Sequence, residues 1–288
     1  MKTDSFVIGD GHGRSELKPL SKPVRVGLAE PLFVIAGPCV IEDEGTCRRI
    51  AEQLLKVTQK AGIGLVFKAS FDKANRSSIS SFRGPGLEKG LAVLAAVRNQ
   101  FDIPVLTDVH ETHQVARVAE VVDCLQIPAF LCRQTDLLCA CARTGKPVNV
   151  KKGQFVSPEE MKNAVEKLKA CGNDKIMLTE RGTFFGYNKL VNDMTAISVM
   201  KGFGCPVVFD ATHSVQAPGG LGTQSGGQRH LAPILARAAV AAGADGLFIE
   251  VHTEPDKAKS DAACIMPIEW VEDTLRTCKE IFEIVRRK

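Results

Sequence analysis

The sequence predicts an α/β protein: a (β/α)8 barrel, eight parallel strands closed into a ring and each followed by a helix, with an N-terminal β-hairpin closing its bottom. Three observations predict it. Eight short apolar, β-branched runs recur at intervals of roughly thirty residues, the length of one strand–helix unit. The segments between them carry helical periodicity. The runs are continuously apolar rather than alternating, as parallel strands covered by helices are.

The elements follow in order. Residues 1–30 form an arm in which 5–8 and 24–27 pair as a two-stranded hairpin that plugs the barrel, and 31–288 form the barrel, with no linker between them. The eight runs are 33–36, 64–67, 104–107, 123–127, 148–150, 175–178, 206–209 and 246–249. In the first connecting segment Ile50, Leu54, Val57 and Ala61 make one apolar face. The fifth opens with Ser157, Pro158, Glu159 and Glu160, where Ser caps, Pro takes the first helical position and Glu160 closes a capping box. Met161, Ala164, Val165 and Leu168 form its buried stripe. The eighth carries Trp270, Val271, Leu275, Cys278, Ile281 and Ile284. An open doubly wound sheet is the alternative. It would show a Gly-rich turn after the first strand, where Gly37, Pro38 and Cys39 stand instead.

Composition narrows the function. Hydrophobic residues are 44% and charged residues 24% of 288, enough to bury a large core. A net charge of +4 with one Tyr and one Trp argues against nucleic-acid binding. No apolar run reaches the roughly 18 residues of a membrane span, and the first residues lead into no signal core. A cytoplasmic protein without membrane attachment is expected. The ten Cys are scattered, with Cys124, Cys139 and Cys141 inside apolar runs, so reduced, packed thiols are expected.

The most informative pattern lies at the strand ends. The runs end in turn at Cys39; Lys68; Asp108 and His110; Gln126; Lys151 and Lys152; Glu180 and Arg181; Asp210 and His213; Glu250 and His252. A barrel gathers these ends on one face, where such folds place their active sites. Polar loop exits explain one or two of these groups, not nearly all. Lys68, Lys73, Arg76, Lys151 and Arg181 would converge as a cluster of unopposed cations suited to phosphate and carboxylate oxygens. An acidic small-molecule substrate, with more than one phosphate in total, follows. Cys39, His213 and Glu250 end neighbouring strands, and Asp261 can reach the same point. This mixed soft and hard donor set suits Mn, Fe, Zn or Co. His110 and His252 are placed as substrate or supporting groups. The Gly-rich stretch 219–227 lacks the Lys and spacing of a nucleotide loop; it is read as a lid over the mouth or a plain flexible connection.

With these residues in view, the chain resembles the 3-deoxy-D-manno-octulosonate 8-phosphate synthases. The resemblance runs from about residue 33 to the C-terminal helix. It is strongest over 67–78, 127–136, 149–155 and 209–216. It implies condensation of phosphoenolpyruvate with D-arabinose 5-phosphate, releasing phosphate, for lipopolysaccharide or plant cell-wall sugar biosynthesis. By position it implies a phosphoenolpyruvate pocket of Lys68, Lys73, Lys151, Gln154 and Arg181, and a pentose-phosphate site of Asn75, Arg76 and Ser77. It also implies a homotetramer in which Arg133 reaches the phosphate of a neighbouring subunit. The family has a metal-dependent branch with Cys where the other has Asn. Cys39, with His213, Glu250 and Asp261, implies the metal-dependent branch. Lys73 or a water on the metal is the candidate proton carrier, and His213 a ligand rather than a base.

Three rivals stand beside this reading. A sister synthase uses erythrose 4-phosphate, but typically shows Lys-Pro-Arg-Thr where this chain has Lys73-Ala74-Asn75-Arg76. A metal-dependent barrel aldolase or hydrolase would supply several His ligands or a Schiff-base Lys. A sugar-phosphate-binding protein without turnover would not need the metal set.

Overall fold

The computed structural model describes residues 5–11, 17–76, 78–184, 187–218 and 226–287. The arm forms the expected antiparallel hairpin of β1 (Phe6–Ile8) and β2 (Val24–Val26). Six strands follow: β3 (Phe33–Gly37), β4 (Gly64–Lys68), β5 (Val105–Asp108), β6 (Cys124–Ile127), β7 (Val148–Lys151) and β8 (Ile176–Glu180). A short pair, β9 (Thr183–Phe184) with β10 (Leu190–Val191), precedes β11 (Val207–Asp210). A second pair, β12 (Gln216–Ala217) with β13 (Gly226–Gly227), precedes β14 (Gly246–His252) and β15 (Met266–Pro267). Strands β3 to β8, β11 and β14 pair in parallel, and β14 returns to β3 over five residue pairs. The ring is closed, as a TIM barrel requires.

The helices are α1 (Glu44–Ala61), α2 (Leu87–Phe101), α3 (Thr112–Ala119), α4 (Thr135–Arg143), α5 (Met161–Ala170), α6 (Thr195–Lys201), α7 (Ala232–Ala241) and α8 (Val271–Arg286). Asp43 caps α1 by accepting the Thr46 N–H at 2.7 Å, and Gly62 ends it in the left-handed conformation. The buried face of α1 runs through Thr46, Ile50, Leu54 and Thr58, so Val57 and Ala61 are only partly covered. The Ser157–Glu160 capping box forms on the turn before α5, and the stripe of that helix is buried as expected. On α8 the buried line is Val271, Leu275, Cys278 and Phe282; Ile284 is 63% exposed because it lies about 200° round the helix from Phe282.

One expectation about the thiols is corrected. Cys139 on α4 and Cys171 just after α5 form a disulfide, with Cα atoms 5.4 Å apart. The two helices are neighbours in the outer ring, a proximity that periodicity within either one does not reveal. Eight further cysteines are free and buried. No helix among the described residues is long and apolar enough to cross a membrane.

The twofold alternation of a strand sorts each side chain inward or outward. Phe67, Leu125, Val150, Leu178, Phe209 and Ile249 point outward into the main core beneath the helices. Phe33, Ile35, Val66, Leu106, Met177 and Phe248 point inward and cluster with Phe6, Ile8, Val24 and Val26 of the hairpin. The arm therefore plugs one end of the barrel with apolar side chains, leaving polar groups for the other.

Candidate active site

Continuing the same alternation places Lys68, Asp108, Gln126, Lys151, Arg181, Asp210 and Glu250 on the inward side, above the apolar layer. Most of them line a cavity of about 450 Å³ at the strand ends, together with Lys73, Asn75, Arg76, Gln154, His213 and Asp261. The outward residues next to them behave differently. Lys152 and Glu180 are fully buried outside the bowl, where Lys152 Nζ lies 3.5 Å from Glu180 and donates to Thr183 at 3.1 Å. Neither they nor His252 line the cavity. The strand-end pattern thus overcounted the site by Lys152 and Glu180, whose parity turns them away, and by His252, which shares the parity of Glu250 but lies beyond the cavity.

The cations are not unopposed, contrary to the sequence reading. Lys68 Nζ donates to Glu250 Oε1 at 2.7 Å and to the Cys39 carbonyl at 2.8 Å. Lys151 Nζ sits 2.5 Å from Asp210 and 3.8 Å above the centre of the Phe248 ring. Charges buried this deeply persist only when paired and hydrogen-bonded. Gly37 permits the close fit of β3 on β4: a Cβ there would stand 2.0 Å from the Lys68 carbonyl. Burial works against the charged form of Lys73, but Cys39, Glu250, Asp108 and Asp261 outweigh it and hold its ammonium well above the ordinary value. Burial likewise opposes ionisation of Glu250, yet His213, Lys68, Lys73 and Lys151 keep it ionised far below the usual carboxylate range. For Lys151 and Arg181 burial prevails and lowers both.

Arg181 donates to Gln216 at 3.1 Å, while its Nη1 is buried without a hydrogen-bond partner; Gln154 Oε1 is in the same state. These atoms are a donor and an acceptor open to a ligand. Arg76 is half-buried and donates to the carbonyls of Phe82 at 3.2 Å and Lys259 at 2.8 Å. Asn75 is exposed at the rim. Ser77 lies outside the described residues, as does 219–225 of the Gly-rich stretch. Arg133 is away from this cavity, in an outer groove beside α5.

Three of the four proposed ligands come together, and the fourth stands close to two of them. Sulfur and carboxylate donors of Cys39, Glu250 and Asp261 lie within 4.8 Å of one another. His213 Nε2 is 3.6 Å from Glu250 Oε2 and 3.9 Å from Asp261 Oδ2. Ligands about 2.0–2.3 Å from one ion stand roughly 3–4 Å apart, so the three-donor group, with His213 beside two of its members, suits a divalent metal. The imidazole is oriented for that role. His213 Nδ1 lies 2.6 Å from Asp210 Oδ2. Asp210 is held well below its ordinary value by His213 and Lys151, against its burial. An ionised carboxylate only accepts, so Nδ1 donates to Asp210, and the ring in its neutral form then presents its Nε2 lone pair to the other donors. Burial, reinforced by Glu250, pushes the Cys39 thiol up, so ionising it requires added positive charge at this point.

Three contributors escaped the sequence reading. Ser260 Oγ lies 3.0 Å from Cys39 Sγ, Gln216 bridges Arg181 to Asp261, and Phe248 floors the bowl beneath Lys151. Gln216 lies within 209–216 and Phe248 within a predicted strand, but Ser260 carries no local signal.

Comparison with known proteins agrees with this geometry. The model of the DAHP synthetase I family matches residues 13–287. A 2-dehydro-3-deoxyphosphooctonate aldolase of Syntrophotalea carbinolica is 58% identical over 263 residues, covering 91% of this chain and 95% of the relative. Proteins of the same name from Stenotrophomonas maltophilia and Francisella tularensis subsp. holarctica are 57% and 54% identical, again over 91% of this chain and 95% of each relative. A match of this extent, carried by a closed barrel with its charged groups at one mouth, means that the chain belongs to the DAHP synthetase I family, among its 2-dehydro-3-deoxyphosphooctonate aldolases.

Proposed function

We propose that this chain condenses phosphoenolpyruvate with D-arabinose 5-phosphate and water to give 3-deoxy-D-manno-octulosonate 8-phosphate and inorganic phosphate. The observation that carries the reading is the mouth cavity, where paired cations stand beside a three-donor cluster with His213 close by, in a chain 54–58% identical to phosphooctonate aldolases. The relatives' name also bears on the choice of aldose. Three carbons from an enolpyruvyl group and five from a pentose make an octonate, whereas erythrose would give seven.

Lys68, Lys151, Gln154 and Arg181 hold the phosphoenolpyruvate anion; the unpartnered Arg181 Nη1 and the lowered cation values both favour an incoming negative charge. Asn75, Arg76 and Ser77 hold the pentose phosphate, and Arg133 reaches that phosphate from a neighbouring subunit of a homotetramer. The enol carbon attacks the aldehyde and forms the new C–C bond. Water adds at the adjacent carbon, where positive charge develops, and the tetrahedral product expels phosphate. Orientation and charge placement supply most of the acceleration. Lys73, kept protonated by its acidic neighbours, donates toward the aldehyde oxygen as negative charge grows there. When bound by Cys39, His213, Glu250 and Asp261, a divalent ion such as Mn, Fe, Zn or Co adds Lewis-acid polarisation to the same region.

The test is phosphate release from phosphoenolpyruvate with arabinose 5-phosphate and, separately, erythrose 4-phosphate. Release with the pentose alone is expected; release only with erythrose 4-phosphate assigns the sister reaction. Cys39→Ala is expected to lose bound metal and activity together, and full activity in that variant without metal removes the ion from the reaction.

A further inference from the structure

Glu42, partly buried, and His252, buried, face each other behind the mouth rather than in it. Their side chains are 11% and 7% exposed, and neither lines the cavity. Glu42 follows β3, four residues after Pro38, and its Oε1 accepts the Lys259 N–H at 2.8 Å. His252 ends β14. Its Nδ1 accepts the Glu254 N–H at 2.9 Å, so the neutral ring carries its proton on Nε2. That Nε2 is buried, has no hydrogen-bond partner, and lies 3.8 Å from the same Glu42 oxygen.

The Lys259 peptide is gripped from its other side as well. Its carbonyl accepts Arg76 Nη2 at 2.8 Å, and its ammonium rests 4.7 Å over the Phe82 ring, whose own carbonyl accepts Arg76 Nε. The next two residues are Ser260 and Asp261, both in contact with Cys39 Sγ. Asp261 has φ +49°, the left-handed region that a non-glycine residue adopts at a cost and keeps only where its surroundings impose it. Something must impose it here, because in this conformation the Asp261 carboxylate faces Cys39 and His213 and accepts from Gln216.

We propose that Glu42 is a positioning residue of the ion site: by accepting the Lys259 N–H it anchors the peptide ahead of Ser260 and so holds Asp261 in its ligating orientation, with His252 filling the space behind the carboxylate. The inference rests on the reading of Cys39, His213, Glu250 and Asp261 as ion ligands. What matters in it is the hydrogen-bond acceptor at a set reach, not the charge of Glu42. Glutamine keeps an acceptor oxygen at that reach. Aspartate keeps the charge but withdraws the oxygen by one methylene, and alanine removes both.

The experiment is calorimetric titration of the full chain, freed of metal by chelation, with Mn2+ alone. E42A and E42D are expected to bind Mn2+ about 10–100-fold more weakly than the parent, with E42Q within about threefold of it, the range seen when a supporting hydrogen bond to a metal site is lost. The metal-free melting transition reports folding in each variant, and the E42D and E42Q pair decides the matter even where E42A does not fold. Parent-like Mn2+ affinity in E42D overturns the proposal, whether E42Q weakens with it or not. A parent chain that takes up no Mn2+ overturns the ion-site reading itself and this inference with it; parental binding with unaffected variants overturns only the role of Glu42.

Discussion

The single residues that define the mouth are held by opposite charges from distant parts of the chain. Lys68 is 1% exposed, and its ammonium is bound to a Glu250 carboxylate 182 residues away. Removing one member of such a pair leaves the other buried and uncompensated, at about 3–5 kcal/mol. Lys68→Met is therefore expected to lower unfolding free energy by about 3 kcal/mol, read from urea denaturation. The remaining cation Lys73, 3.8 Å from Glu250, sets that figure at the lower end. An unchanged urea midpoint would mean that the pair carries no net stability. The reacting residues were legible in the sequence because a strand's parity and its polar terminus are local features. Their partners were not. Nothing near Lys68 announces Glu250, nothing near Arg181 announces Gln216, and Ser260 sits in a loop with no pattern.

At the scale of elements, every predicted barrel strand exists, with ends shifted by a few residues; the last extends from Gly246 through His252 because β15 continues its pairing beyond the ring. The helices were legible where capping and periodicity agreed, as at α5, and misjudged where apolar residues continue past the buried face, as at Ile284. The cap of α1 gives a test with a defined sign. The Asp43 carboxyl is lowered from its usual value, first by its hydrogen bonds from Thr46. Its contribution is full above the unfolded value of about 3.9 and is lost as pH falls through the lower folded value. Asp43→Ala is expected to cost about 1 kcal/mol at neutral pH. Asn caps without titrating, so the melting temperature of D43N relative to the parent should rise as the solution is acidified below that value. A constant difference across this range would exclude the cap as the source.

For the molecule as a whole, closure of the ring is what brings Cys39 beside Glu250, since β3 and β14 are the first and last strands of the barrel. Sequence spacing predicted eight units; only their closure makes the ends neighbours. The arm is fastened from below as well. Arg98, buried with Asp123, also donates to the Lys18 carbonyl at 2.8 Å. The Cys139–Cys171 link adds a further constraint between α4 and α5, across a sequence separation of 32. By the chain-entropy relation a loop of that size contributes about 3–4 kcal/mol. Treatment with reductant is expected to lower the thermal midpoint by several degrees, with the C139S/C171S double variant insensitive to it; equal midpoints with and without reductant would show that the link contributes nothing.

The apolar stopper of Phe6, Ile8, Val24 and Val26 has a consequence for traffic. Among the described residues, a vessel stoppered at its base is reached from its mouth. Whichever reactant settles deeper has to enter before the shallower one, and whatever forms at the bottom leaves only after the path above it clears. The order of arrival and departure is thus written into the cork, far from any atom that reacts.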